Sequence, residues 1–191
     1  MTSYVVVEGH PGARLVERIL AATCRKVFTV GSGERSAGIM MAASILAKER
    51  TPTVLVVDSD TLEERAWIDE QATIDDILKH AAVRTPYSLV LAVPQIESVL
   101  FRDRAGLERA LGHAIADDVF FEARFRPRAV IHRLLGEKDV QERETALIDA
   151  LDEAALLRMA DDPSIAQVER FLDAVQQRAS GSRREPIRRA G

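Results

Sequence analysis

Three acidic positions in this chain close apolar, strand-like runs. Glu8 follows Tyr4-Val5-Val6-Val7, the Asp58/Asp60 pair follows Thr53-Val54-Leu55-Val56-Val57, and Glu97 stands four residues beyond Val93, the end of a run over 88–93. In a parallel sheet the carboxyl ends of the strands share one edge, and that edge is where α/β proteins bind ligands. Carboxylates gathered there repel unless they are protonated or bridged by a cation. Mg²⁺ is the natural bridge, since it takes oxygen ligands and retains water for phosphate chemistry, and Mn²⁺ can substitute for it. Each acid also has a plainer reading. Asp58-Ser59-Asp60 can be a turn, Glu8 can cap the next helix, and Glu97 can favour a helix dipole from its first turn. Their common edge is what favours a cation site.

Gly31-Ser32-Gly33 precedes a helical segment. Its backbone amides, together with Ser36, are candidates to cradle a phosphate, and a glycine-permitted tight turn is the competing reading. It is not a Walker A loop: Gly33 and Gly38 have the glycine spacing, but Ile39-Met40 stand where Lys and Ser/Thr belong. Arg35 reads either as a phosphate contact or as a solvated residue at a helix start. His10, beside Glu8, faces the site or water. Cys24 and Trp67 read as packing residues.

The elements that must position these groups alternate. Strands are predicted over 4–7, 26–30, 53–57 and 88–93. Between them come a helix carrying Leu15, Val16, Ile19 and Leu20, a second over 35–50, and a polar third over 62–82; a short helix from Ile96 to Phe101 follows the last strand. This βαβαβαβα order argues for an α/β fold with a mainly parallel four-stranded sheet flanked by helices. Beyond Arg104 the pattern is helical. Asp162-Pro163 reads as an N-cap and first helical residue, followed by the stripe Ile165, Val168, Leu172 and Val175. The expected organisation is a core over 1–103, a helical C-terminal extension over 104–178, and a basic, disordered tail over 179–191.

Composition bounds the rest. With 191 residues, 47% hydrophobic and 29% charged, the chain can bury a sizeable core. No apolar run approaches the roughly 20 residues that cross a bilayer. The chain enters a strand at once, without the basic region of a signal peptide, and its one cysteine excludes an internal disulfide; the expected location is the cytoplasm. The net charge of −4 divides into a tail from Arg178 with five arginines and one glutamate, and a body at −8. Such a body is not a basic nucleic-acid platform, although bound metal can invert local charge.

Val5-Val6-Val7-Glu8-Gly9, followed by Val56-Val57-Asp58-Ser59-Asp60, resembles the TOPRIM domain, found in topoisomerases, bacterial primases, recombination mediators and OLD-family nucleases. Val93-Pro94-Gln95-Ile96-Glu97-Ser98 is similar to the acidic segment of OLD-type and small stand-alone bacterial TOPRIM proteins. The resemblance covers residues 4–103. It implies a Rossmann-like TOPRIM sheet, Glu8 as metal ligand or general acid/base, Asp58 and Asp60 as Mg²⁺ ligands, and Glu97 serving a second metal. Glu8, Asp58 and Asp60 would be the catalytic set. Many OLD-type proteins carry another acid shortly after Glu-Gly, whereas His10-Pro11-Gly12-Ala13 offers none. There is neither an ATPase segment nor a tyrosine-bearing topoisomerase module, so a nucleotide-driven partner would be a separate chain.

The implied function is Mg²⁺-dependent phosphodiester hydrolysis of DNA or RNA. The alternative is a catalytically silent TOPRIM module that binds nucleic acid, a nucleotide or a partner protein; the missing acid and the acidic body point that way. A haloacid-dehalogenase-like phosphatase, suggested by Asp58-Ser59-Asp60-Thr61, ranks below both, because that fold's aspartate follows its first core strand. If Asp58 is only a metal ligand, Asp58→Ala should leave the metal-free protein equally or more stable.

Overall fold

The computed structural model describes residues 2–181. Four parallel strands, β1 (Tyr4–Glu8), β2 (Phe28–Ser32), β3 (Thr53–Asp58) and β4 (Tyr87–Ala92), form one sheet in the order β2-β1-β3-β4. Parallel strands require crossovers, and these are α1 (His10–Ala22), α2 (Arg35–Ser44), continued by a π-helical turn over Ile45–Glu49, and α3 (Glu64–Ala82). The strands are Val- and Leu-rich because both faces are covered. Val5, Val7, Val54, Val56, Val90 and Ala92 point to one face, while Val6, Leu55, Val57 and Leu89 point to the other.

The second face packs on Ala42 of α2, on Ile45 and Leu46, and on Ile74, Leu78 and Ala82 of α3. The first face is covered by α1 and by everything after β4. That portion comprises a 3₁₀ helix (Ile96–Arg102) and six helices: α4 (Arg104–Leu111), α5 (Asp117–Glu122), α6 (Pro127–Leu135), α7 (Val140–Ala150), α8 (Glu153–Met159) and α9 (Pro163–Gly181). Leu107, Ile131, Leu147, Ile148, Leu156, Ile165 and Val168 join the sheet's valines in a single cluster. The helical extension is therefore half of the principal core. Arg18 of α1 donates to the carbonyls of Ile148 and Leu151 at 2.6 and 3.0 Å, which ties α1 to the end of α7.

The bounds of β2 and α9 differ from the sequence pattern. β2 lies at 28–32, so Gly31 and Ser32 belong to the strand. Phe28 stacks on Tyr4, its register partner, with ring centroids 5.4 Å apart, and Gly31 lets the strand pass α1, since a Cβ there would come within 2.8 Å of His10 Nδ1. α9 runs through Gly181, past the expected end at 178, and residues 182–191 lie outside the described residues. The stripe Ile165, Val168, Leu172 and Val175 is buried, and Ser164 donates to the Asp162 carboxylate at 2.6 and 3.0 Å. Among the described residues no helix is long and apolar enough to cross a membrane.

Candidate functional site

The parallel register brings Glu8, Asp58, Asp60 and Glu97 to the carboxyl edge of the sheet. β1 turns into α1 through Gly9, whose φ of +80° favours a residue without Cβ, and the Gly9 N–H donates to the Ser32 carbonyl at 2.7 Å. After β3 the chain continues beside the segment following β4. Ser59 N–H donates to Ala92 and Asp60 N–H to Pro94, each at 2.9 Å. Asp60 occupies the left-handed region at φ +54°, which aspartate tolerates better than most residues. Asp58 N–H donates to Glu8 Oε2 at 3.3 Å, so the first and third strand ends meet directly.

Two arginines stand among these carboxylates. Arg35, at the start of α2, donates to Glu8 Oε2 at 3.3 Å, Asp60 Oδ2 at 2.6 Å, Glu70 Oε1 at 2.5 Å and the Asp58 carbonyl at 2.7 Å. It is thus a partly buried organiser of the site, and the solvated reading does not hold. Burial opposes its charge, but bonds to Glu70 and Glu8 outweigh that and raise its pKa. Arg128, in the first turn of α6, bonds Asp58 Oδ2 and donates to Glu97 Oε1 at 2.8 Å. Burial opposes the Arg128 charge too, and the two carboxylates more than offset it. Gln95 joins the same lattice, donating to Asp60 Oδ1 at 2.8 Å and accepting the Arg128 N–H at 3.3 Å.

Asp58 is 1% exposed and also accepts the Ile96 N–H at 2.8 Å, so it caps the 3₁₀ helix from across the turn. Burial, followed by repulsion from Glu97, pushes its pKa up to about 7; Arg128 and the Ile96 N–H pull the other way. The ion pair alone would argue for a low value. The upward direction prevails because the Arg128 side chain is 31% exposed and partly solvated, while the carboxylate is almost wholly desolvated. Against the expectation that Asp58→Ala leaves the metal-free protein equally or more stable stands one cost: the variant would strand the Ile96 N–H, while Arg128 would keep Glu97 as its partner. Held from both oxygens, Asp58 is also poorly placed to be a phosphatase nucleophile.

A cleft of about 220 Å³ opens beside these acids, lined among others by Glu8, His10, Gly33, Glu97, His132 and Glu144. Of the phosphate-cradle candidates, Gly33 reaches it. Ser32 is buried and its hydroxyl donates to the Val7 carbonyl at 3.4 Å; Gly31 packs against His10; Ser36 is exposed on α2. Glu144 of α7 is 2% exposed, with Oε1 unpartnered and Oε2 3.8 Å from His132 Nε2. Burial, then Glu97, raises its pKa to about 7 against the pull of Arg128. Arg128, His132 and Glu144 were invisible as site residues in the sequence, because nothing in a helical pattern tells which helix will roof the sheet edge. Glu144 lines the same cleft as Glu8 and Glu97.

Six carboxylates (Glu8, Asp58, Asp60, Glu70, Glu97 and Glu144) thus face two guanidinium groups. The excess of hard oxygen donors and the orphaned Glu144 oxygen fit a divalent cation in chemistry. Among the described residues, however, no three His, Cys, Asp or Glu side chains form a ready-made metal cluster; Arg35 and Arg128 stand in the gaps. A cation would have to draw carboxylate oxygens away from them. Compared with known proteins, the chain matches no family model and no curated protein.

Proposed function

We propose that this protein is a TOPRIM-like nuclease, which hydrolyses phosphodiester bonds of nucleic acid with Mg²⁺, or Mn²⁺ in its place. The observation that carries the reading is the meeting of Glu8, Asp58, Asp60 and Glu97 on one sheet edge with more carboxylate than local cationic charge. Glu8, Asp58, Asp60 and Glu97 would hold the ion. Bound there, it supplies Lewis-acid polarisation of the phosphoryl group and makes water a better nucleophile.

The chain's own residues supply the rest. Arg35 and Arg128 hold the acids in place without metal, and their forked donors suit phosphate oxygens as well as carboxylates. Glu8 borders the cleft and can accept a proton from an attacking water; His10, on the same wall, can donate one to the leaving oxygen. The backbone of Gly9 and Gly33 lets a phosphate approach closely. We place the reaction in the cytoplasm.

The test is cleavage of labelled DNA and RNA in Mg²⁺ or Mn²⁺, with a chelator control. Chelator-sensitive cleavage lost in Glu8→Gln supports the reading. The same two arginines favour a second one, the silent binding module, because they already neutralise part of the acid cluster. Nucleic acid bound but uncut in either metal would make that the better description.

A further inference from the structure

The stretch from the end of α5 through the connecting loop into α6 reads Phe120-Phe121-Glu122-Ala123-Arg124-Phe125-Arg126-Pro127-Arg128. Phe120 turns inward against Phe101, but Phe121 and Phe125 are 57% and 51% exposed. They are not scattered: their rings meet edge to face with centroids 5.6 Å apart, and the Arg124 guanidinium lies over Phe121 at 5.5 Å. Among the described residues neither Phe121 nor Phe125 joins a hydrophobic cluster, so core packing does not explain this aromatic pair. Arg124 and Arg126 are exposed and make no ion pair among the described residues, a local positive feature on an acidic body. Phe125 is three residues from Arg128, which holds Asp58 and Glu97, so it stands within about 10 Å of that residue along the chain.

We infer that Phe121 and Phe125, with Arg124 and Arg126, form a stacking platform for unpaired nucleobases, and that the substrate is single-stranded nucleic acid or a single-stranded segment. This rests on the nucleic-acid reading above and narrows its substrate class. Exposed aromatic faces beside guanidinium groups suit bases, each of which offers a π face, while the cations follow the phosphates. A duplex keeps its base faces stacked and cannot use the platform. The chain's path from Phe125 to Arg128 then leads the backbone toward the acids.

Fluorescence anisotropy with a labelled single-stranded oligonucleotide and its duplex, in chelator so that nothing is cut, separates the possibilities. The full chain should prefer the single strand. Phe121→Ala/Phe125→Ala should weaken single-strand binding about tenfold or more and leave duplex binding nearly unchanged. Arg124→Ala/Arg126→Ala should flatten the salt dependence, by about 0.7 in log–log slope per lost phosphate contact. Both pairs are exposed, and circular dichroism should be unchanged. Equal single-strand affinity in wild type and the phenylalanine variant would overturn the proposal, as would a preference for duplex. No binding of either oligonucleotide would also overturn it and leave the aromatic pair as a protein contact. Single-strand binding that depends on the phenylalanines, without cleavage in metal, would uphold the platform and remove only the hydrolysis.

Discussion

Single side chains in the cleft carry stored electrostatic cost. Glu144 is buried with one oxygen unpartnered, and its folded pKa of about 7 lies above the ordinary glutamate value of 4.5. A carboxyl raised on folding contributes stability that is fully present below the unfolded pKa and is lost as pH rises from about 4.5 through 7. The full shift corresponds to roughly 3 kcal/mol. Metal-free wild type should therefore melt higher at pH 5 than at pH 8. Glu144→Gln should raise the melting temperature at pH 8 and flatten this dependence, measured by thermal unfolding across the range. An unchanged profile would mean that Glu144 is solvated or paired in solution. Sequence reasoning reached Glu8, Asp58, Asp60 and Glu97 because each sits at a strand end or within a few residues after one, a position that hydrophobic pattern reveals. It missed Arg128 and Glu144 because their place depends on how the later helices cross the sheet.

Among the elements, α1 passes close to the 3₁₀ helix at Ile96, next to Glu97. Gly12 makes it possible: a Cβ there would lie 2.7 Å from Ile96 Cγ2, and Ile96 is itself buried. A branched side chain with little room cannot withdraw cheaply, so Gly12→Ala should lose more by this clash than it gains in helix propensity. A net destabilisation of about 1 kcal/mol or more is expected from urea unfolding, with weaker metal response because Glu97 follows Ile96. The four parallel strands and their helical crossovers were legible from alternating apolar runs and helical stripes, but the spatial order β2-β1-β3-β4 was not. The shift of β2 was not, because Gly31 reads as a turn former until its close passage by His10 is seen. The π turn at Ile45–Glu49 lies within a segment that simply reads as helical.

Across the whole molecule, the helices after residue 103 cover one sheet face and supply Arg128 to the site. The sequence suggested a core at 1–103 with an extension, and the packing joins the two in one cluster. A chain ending at 103 would expose Val5, Val7, Val54, Val56 and Val90 except where α1 shields them. It should lose cooperative unfolding and bind a hydrophobic dye. Cooperative melting without dye binding would show that the α/β part stands alone. Asp60 tests the role of the acids with the least structural cost, because its side chain is 49% exposed and caps no helix. The direct measurement is the single-turnover rate of cleavage of a labelled single strand in Mg²⁺ by wild type and Asp60→Ala. Wild type should cut, and the variant should stay folded and be slower by about a hundredfold or more, the loss expected when a metal ligand is removed. Equal rates in the two proteins, or no cleavage by wild type in Mg²⁺ or Mn²⁺, would contradict that role.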